Sequence, residues 1–340
     1  MRTTLRNHRL GSSRKIWKLS CVLGPALLGA LLALLPMTSR AGECPTWLPD
    51  FHCERSGRFP GFERPIAAPY LFEDPFITTG VYPTYVYHEY ANGSVFNGGE
   101  VHVAALQARV ALTDRLAFIA TKDGFAWHSP HLAILPNESG YLNIAAGLKY
   151  ALWQDRDKGR IVSGVLRFEV PIGSTHVFQG FSDGTVLPSL TAAWRFGKAH
   201  LIADVGGQLP FRMSEQSTSV FYHVYADYSL LRWLQPFFQI SGQTFTSSGN
   251  GSLRVHLKGG GTLPLGTALT ALGAPAQEGA DVLNLGAPGI SGTTQLALGG
   301  GIHVPLTKHV TWSTSYEANV LNDNNSLYRR RVITALTLEF

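Results

Sequence analysis

Charge, cysteine and long apolar runs are all scarce in this chain of 340 residues. Asp, Glu, Lys and Arg make up 15% of it, and there are three cysteines. With a mean hydropathy of +0.04 and 36 glycines, it is too apolar for a disordered, solvating protein. Past residue 41 it lacks the sustained apolar runs of a helical membrane protein. Local catalytic signatures are scarce too: there is no H-E-x-x-H and no G-x-x-x-x-G-K-[ST], and the GFSDG of residues 180–184 fits G-x-S-x-G by its letters alone, in a predicted connection and not between a strand and a helix. LKGGGTL is a glycine-rich turn without the order of lysine and hydroxyl that a phosphate loop needs. No repeat of solenoid or propeller type occurs.

The one long apolar run lies at the start. Residues 1–41 read as a secretory signal peptide: a basic stretch, the apolar CVLGPALLGALLALLPM, then Ser39-Arg40-Ala41 with small residues at a cleavage site. An uncleaved anchor is the alternative, since the run is long enough to span a bilayer. Cleavage removes seven of the 28 Lys and Arg and none of the 23 acids, leaving 21 against 23, a net charge of −2. The sequence pI of about 9.1 therefore belongs to the leader, and nucleic acid is not an implied partner. Cys44 and Cys53 remain in CPTWLPDFHC. An even pair in an exported chain reads as a disulfide, and together with His52 it lacks the spacing of a metal site.

Residues 42–80, rich in Pro and aromatics, show no period and read as a periplasmic lead-in or plug, with room for a short helix around Ala67 to Glu73. From about Val81 the texture becomes period-two alternation in segments of roughly ten residues, the pattern of half-exposed strands. Leu142, Ile144, Ala146, Leu148, Tyr150 and Leu152 share one face, opposite Asn143, Ala145, Gly147 and Lys149. Val162, Leu166, Phe168, Val170 and Ile172 oppose Ser163, Arg167 and Glu169. A soluble sandwich also alternates. Here, however, aromatics (Trp153, Trp194, Phe196, Phe211, Tyr228) sit near segment ends on the apolar face, as an interfacial girdle would.

Twelve strands are predicted, at about 81–91, 99–112, 116–127, 140–153, 160–172, 185–196, 199–211, 219–231, 234–246, 293–306, 310–321 and 329–340. Their connections alternate long and short without exception, and an even count puts both ends on the short-turn side. The expected fold is all-β: a transmembrane antiparallel up-and-down barrel over 81–340, closed so that no edge is left unpaired in lipid. The 247–292 connection is long for an idle loop and could enter the lumen as a constriction or extend two strands as an external hairpin; a mobile extracellular loop is the equal alternative.

Inward phase falls on Arg109, Lys149, Arg167, Glu169, Arg195, Asp204, Asp227, Glu317 and Arg331, candidates to line a pore. Both signs occur. Ion pairs from wall to wall would rigidify the barrel, and opposed charges would also set a transverse field that selects small polar or ionic solutes. His200 and Asp204 share the lumen face and could be half of a catalytic triad, though a wall ion pair is the simpler expectation. His128 and His131 in HSPHL read as a surface pair. No metal, cofactor or catalytic residue is expected.

The chain ends on RVITALTLEF, with Val332, Thr334, Leu336, Leu338 and the terminal Phe340 in one phase. This ending resembles the assembly signal of Gram-negative outer-membrane β-barrels, and the resemblance covers about 81–340. It implies the cell outer membrane, a lipid surround and the barrel-insertion machinery as a partner during assembly. LQARVALTDRLAFIATKDGF and EGADVLNLGAPGISG also resemble a group of barrel porins, some associated with aromatic-compound degradation pathways; no solute transfers from that likeness. The function expected is passive passage of small solutes, with selectivity set by lumen charge and the 247–292 loop. The alternatives are an outer-membrane lipid hydrolase and a non-conducting structural or receptor barrel.

Overall fold

The computed structural model describes Phe59 and residues 61–279, 281–321 and 323–340. The leader and the Cys44–Cys53 pair lie outside them. The strands are β1 (Gly80–Tyr90), β2 (Gly99–Ala111), β3 (Leu116–Lys122), β4 (Phe125–Pro130), β5 (Glu138–Tyr141), β6 (Ile144–Asp155), β7 (Arg160–Val170), β8 (Thr185–Phe196), β9 (Ala199–Pro210), β10 (Thr218–Tyr228) and β11 (Gln235–Ser247). They continue with β12 (Arg254–His256), β13 (Thr262–Pro264), β14 (Thr294–Pro305), β15 (Val310–Leu321) and β16 (Tyr328–Glu339). One helix, α1 (Leu265–Leu272), follows β13.

These strands make twelve staves of a closed antiparallel barrel. β1 pairs with β2 on one side and with β16 on the other, so no edge is left. Two staves are broken at the same height. β3 and β4 both pair with β2, and the chain bends between them at Asp123 and Gly124. Gly124 has φ +114°, and a Cβ there would lie 2.4 Å from the Ala104 carbonyl oxygen, so only glycine fits. Asp123 Oδ1 accepts the N–H of Leu106 at 3.0 Å in place of a ladder bond. Next to it, the stave of β5 and β6 breaks at Leu142 and Asn143. Both residues turn inward, so Leu142 is buried instead of sharing the outward face of Ile144.

The outward face carries an exposed apolar band that includes Leu148, Leu166, Phe168, Leu190, Val205, Phe238, Tyr316 and Val332. Trp153, Phe196, Tyr228 and Trp233 stand exposed at the short-turn end, and Trp127, Tyr141 and Phe211 at the other. The interior is filled. Phe59, Phe62, Ile66, Phe72 and Phe76 from the segment before β1 pack on Ile119, Ile161, Ile202, Tyr225 and Ile333 of the wall. Ala67 to Glu73 forms no helix, only one turn closed by Phe72 N–H to Ala68 O at 3.0 Å. A second apolar cluster caps the long-loop end. It joins Leu253, Val255, Leu265, Leu269, Leu285 and Ile290 of the longest connection to Tyr90, Phe96 and Phe178. Within that connection β12 and β13 form a short hairpin, while Gln277, Glu278 and Asp281 are buried.

Candidate functional site: the filled lumen

The segment 61–79 enters at the short-turn end, rises to mid-barrel and returns. Gly61 O accepts from Gln235 Nε2 (3.1 Å) near the start of β11, and the ring of Phe62 packs on His200 at 4.6 Å. At its top, Pro69 O accepts from Gln107 Nε2 (2.7 Å), while Arg167 donates to Tyr70 O and, at 2.9 Å, to Leu71 O. Descending, Pro75 O accepts from Ser163 Oγ at 2.6 Å. The segment has no regular structure of its own, so its backbone acceptors are satisfied by inward wall side chains.

Its acids meet wall cations. Glu73 accepts from Arg109 through both oxygens, at 3.0 and 2.6 Å, and from Lys149 Nζ at 2.9 Å. Arg64, on the same segment, reaches Glu73 at 3.3 Å and Asp74 at 3.2 Å. Lys149 also reaches Asp74 Oδ1 at 3.0 Å. Arg109 is 1% exposed, Lys149 0% and Glu73 1%, so these charges depend on one another for what water would otherwise supply. Burial alone would raise the Asp74 pKa. The Lys149 ammonium and Arg64 guanidinium beside it more than offset this and hold it below the ordinary carboxylate range.

A second contact zone joins this segment to the long connection. Asp281 accepts from Tyr70 N–H at 3.4 Å and from Arg331 Nη1 at 2.5 Å, and Arg331 also binds Glu317. Lys122 bridges Glu169 Oε1 (2.6 Å) and Val282 O (2.9 Å), and Tyr70 donates to the other oxygen of Glu169. Asp281 too is held below its usual range: burial opposes ionisation, and Arg331 overcomes it. Glu278 differs. It accepts from Ser217 Oγ, Leu285 N–H and Ala287 N–H at 2.6–2.8 Å, but burial without a cation pushes its pKa up. A cavity of about 70 Å³ remains beside Val86, Val103, Ala126 and Val282, about half the ~150 Å³ that admits a benzene.

The opposite wall is built differently. His200 Nδ1 lies 2.5 Å from Asp227 Oδ1 and His223 Nδ1 lies 2.6 Å from Asp204 Oδ1, so His200 and Asp204 pair with residues of β10 and not with each other. Phe72 of the filling segment stacks on His223 at 4.9 Å. Ser313 Oγ lies 2.7 Å from His303 Nδ1, a Ser–His contact inside the lumen. The other nitrogen of that ring meets Tyr225 OH at 2.8 Å where a triad would place a carboxylate or leave room for substrate, and Ser313 is 1% exposed.

Of the residues in inward phase, Arg109, Lys149, Arg167, Glu169, Asp204, Asp227, Glu317 and Arg331 all have buried side chains within the barrel. Arg195 is at the short-turn rim, where it donates to Asp157 O at 2.8 Å. Both kinds of pairing occur: Arg109 and Lys149 meet Glu73, and Arg331 meets Asp281, from wall to filler, while Lys122–Glu169, Arg331–Glu317, His200–Asp227 and His223–Asp204 run from wall to wall. Glu73, Asp74, Arg64 and Asp281 went unnoticed in the sequence because they lie in segments without a period. His128 is no surface residue: β4 runs on to Pro130, which turns the ring inward to Tyr90 OH at 2.7 Å between Phe96 and Phe178. Phe340 is half-exposed at the short-turn end, its N–H bonded to Thr79 O at 3.0 Å.

No protein-family model matches the chain, and no curated protein matches it. Solved structures do superpose on it. An outer-membrane channel from Pseudomonas putida F1 is 15% identical, with a TM-score of 0.47 over 82% of this chain and 100% of that one. The NanC porin is 8% identical, with a TM-score of 0.45 over 77% of this chain and 100% of its own. Outer-membrane phospholipase A from Escherichia coli is 12% identical, with a TM-score of 0.35 over 78% and 93%.

Proposed function

We propose that this protein is an outer-membrane channel for small polar or ionic solutes, with residues 61–79 and the tip of the 247–292 connection acting as a displaceable plug. Residues 1–41 would direct export, and the apolar band would face lipid, with the short turns in the periplasm and the long loops outside. The observation that carries the proposal is the Glu73 carboxylate shared among Arg109, Lys149 and Arg64. A barrel that served only as an anchor could fill its interior with apolar side chains at no greater cost in stability. This one keeps Arg109, Lys122, Lys149, Arg167 and Arg331 inside, on the contiguous staves from β16 round to β7, and covers them with carboxylates and carbonyls of the filling segments.

A plug held this way is replaceable. A small carboxylate solute offers the wall cations the same bidentate partner that Glu73 does. With the plug displaced, cations on one side and the His–Asp pairs on the other would set a transverse field across the pore. Planar-bilayer recording tests the proposal. Purified wild type should be mostly closed, and weakening the contacts of Glu73 and Asp74 should produce discrete conducting steps. Silence from every plug variant would favour a non-conducting structural or receptor barrel, a reading supported by the filled lumen. A hydrolase is less well supported, since both nitrogens of His303 are occupied within the wall.

A further inference from the structure

Three side chains converge on the long-loop face, away from the lumen charges. Glu138 opens β5, His176 sits in a 3₁₀ turn (Thr175–Val177), and His256 ends β12. Nδ1 of His176 lies 2.7 Å from Glu138 Oε1, and Nδ1 of His256 lies 3.1 Å from the same oxygen. The rings are 4.2 Å apart and nearly perpendicular, at 82°, and the three ligand atoms fall within 4.8 Å of one another.

We propose that Glu138, His176 and His256 bind one divalent transition cation, for which Zn²⁺ is the probe. Two imidazole nitrogens and a carboxylate oxygen suit such ions. With bond lengths near 2.0–2.2 Å, ligand atoms around a tetrahedral zinc sit about 3.3 Å apart, so the Glu138–His176 contact would open by about 0.6 Å and the Glu138–His256 contact by about 0.2 Å, with the two imidazoles adjusting between them. The side chain of His176 is 52% exposed, which leaves the remaining coordination position to water.

The ligands are held from behind. Val177 and Val255, next in sequence to the two histidines, are buried in the lumen and the cap. β5 lies so close to the 3₁₀ turn that a Cβ on Gly140 would stand 2.4 Å from Ser174 Cβ. Lys258 N–H bonds Ile134 O at 2.8 Å, tying the β12–β13 hairpin to the connection that leads into β5. A cation here would staple three separate connections, including the one that dips towards the plug. Its binding does not depend on the channel reading. The residues are 38 and 118 positions from Glu138, so no local spacing announces them.

Zn²⁺ titration of the folded full-length protein in detergent tests the site, against His176→Gln, His256→Gln and the double variant, each checked for native heat-dependent gel mobility. Wild type should bind one equivalent more than the double variant, and each single change should weaken that site at least about tenfold. Identical isotherms for wild type and double variant would overturn the proposal. Trypsin cleavage after the exposed Lys258 gives a second readout. Zn²⁺ should slow it about tenfold or more in wild type, if ordering suppresses local opening, and leave the double variant unaffected. Equal slowing in both would overturn the staple.

Discussion

Glu73→Gln is the sharpest perturbation of the plug. The amide keeps the shape of the carboxylate but loses its charge and turns an N–H₂ donor towards two wall cations. Lys149 keeps Asp74 Oδ1 at 3.0 Å and Asp74 O at 2.9 Å, and Arg64 keeps Asp74 Oδ2 at 3.2 Å. Arg109 keeps Gln107 Oε1 at 3.2 Å, the face of Tyr82 at 4.7 Å and one bond to the amide oxygen, but loses its counter-charge while remaining 1% exposed. Leaving a buried charge without its partner costs about 3–5 kcal/mol. Opening the plug hydrates Arg109 and relieves that cost. At 1.4 kcal/mol per decade, the closed-to-open ratio should fall by about two to three and a half orders of magnitude. Single-channel recording in planar bilayers reads this as a rise in open probability. A cycle sharpens it: Glu73→Leu with Arg109→Met replaces the pair by apolar groups, which is close to neutral, and should return the protein to a closed state. The reasoning is refuted if folded Glu73→Gln is as silent as wild type, or if the double variant conducts as freely as the single.

The pH dependence has two parts of opposite sign. Asp74 and Asp281 are depressed below the ordinary 3.8, so their stabilisation is complete above that value and is lost as pH falls through their lower folded values. The plug should therefore hold at pH 5 and loosen well below pH 4, read as conductance against pH. Glu278 is raised above 4.5, so the cap around it should gain stability as mild acid protonates it, read as slower loop proteolysis on going from neutral to weakly acidic pH. Gly242→Val should destabilise the barrel by about 1–3 kcal/mol, because a Cβ there would stand 2.2 Å from the Tyr222 ring; the denaturant midpoint measures this. Deleting Phe340 removes one backbone bond, to Thr79, and should cost the purified barrel only about 1 kcal/mol. It should nonetheless sharply reduce assembly in cells, and normal insertion would count against a sorting role.

The barrel was legible because period two places an exposed apolar band on one side of every stave and packed polar groups on the other. That constraint acts on every stave, so even the phases of Lys149, Arg167 and Glu317 can be read from the chain. It fails where the pleat breaks or ends. Leu142 changes face at the interruption between β5 and β6, and Arg195, in the last but one pair of the β8–β9 ladder, turns to the rim. It is silent on partners. Nothing in the order of residues says that Arg109 would meet Glu73, 36 positions earlier, because segment 61–79 takes its shape from the wall it lies against. The pairing of His200 with Asp227, and not with Asp204, follows from the β9–β10 register, in which His200 and Asp227 are direct partners. The three-loop cluster at Glu138 is illegible for the same reason.

The central claim is that a charge-held segment closes an otherwise conducting barrel. Removing residues 61–78 while keeping Thr79 and the barrel tests it most directly, by single-channel conductance beside wild type in one bilayer system. Discrete, long-lived steps that wild type rarely shows, blocked by a small dicarboxylate added to the bath, are the predicted result. A folded variant that stays as impermeable as wild type would contradict the account.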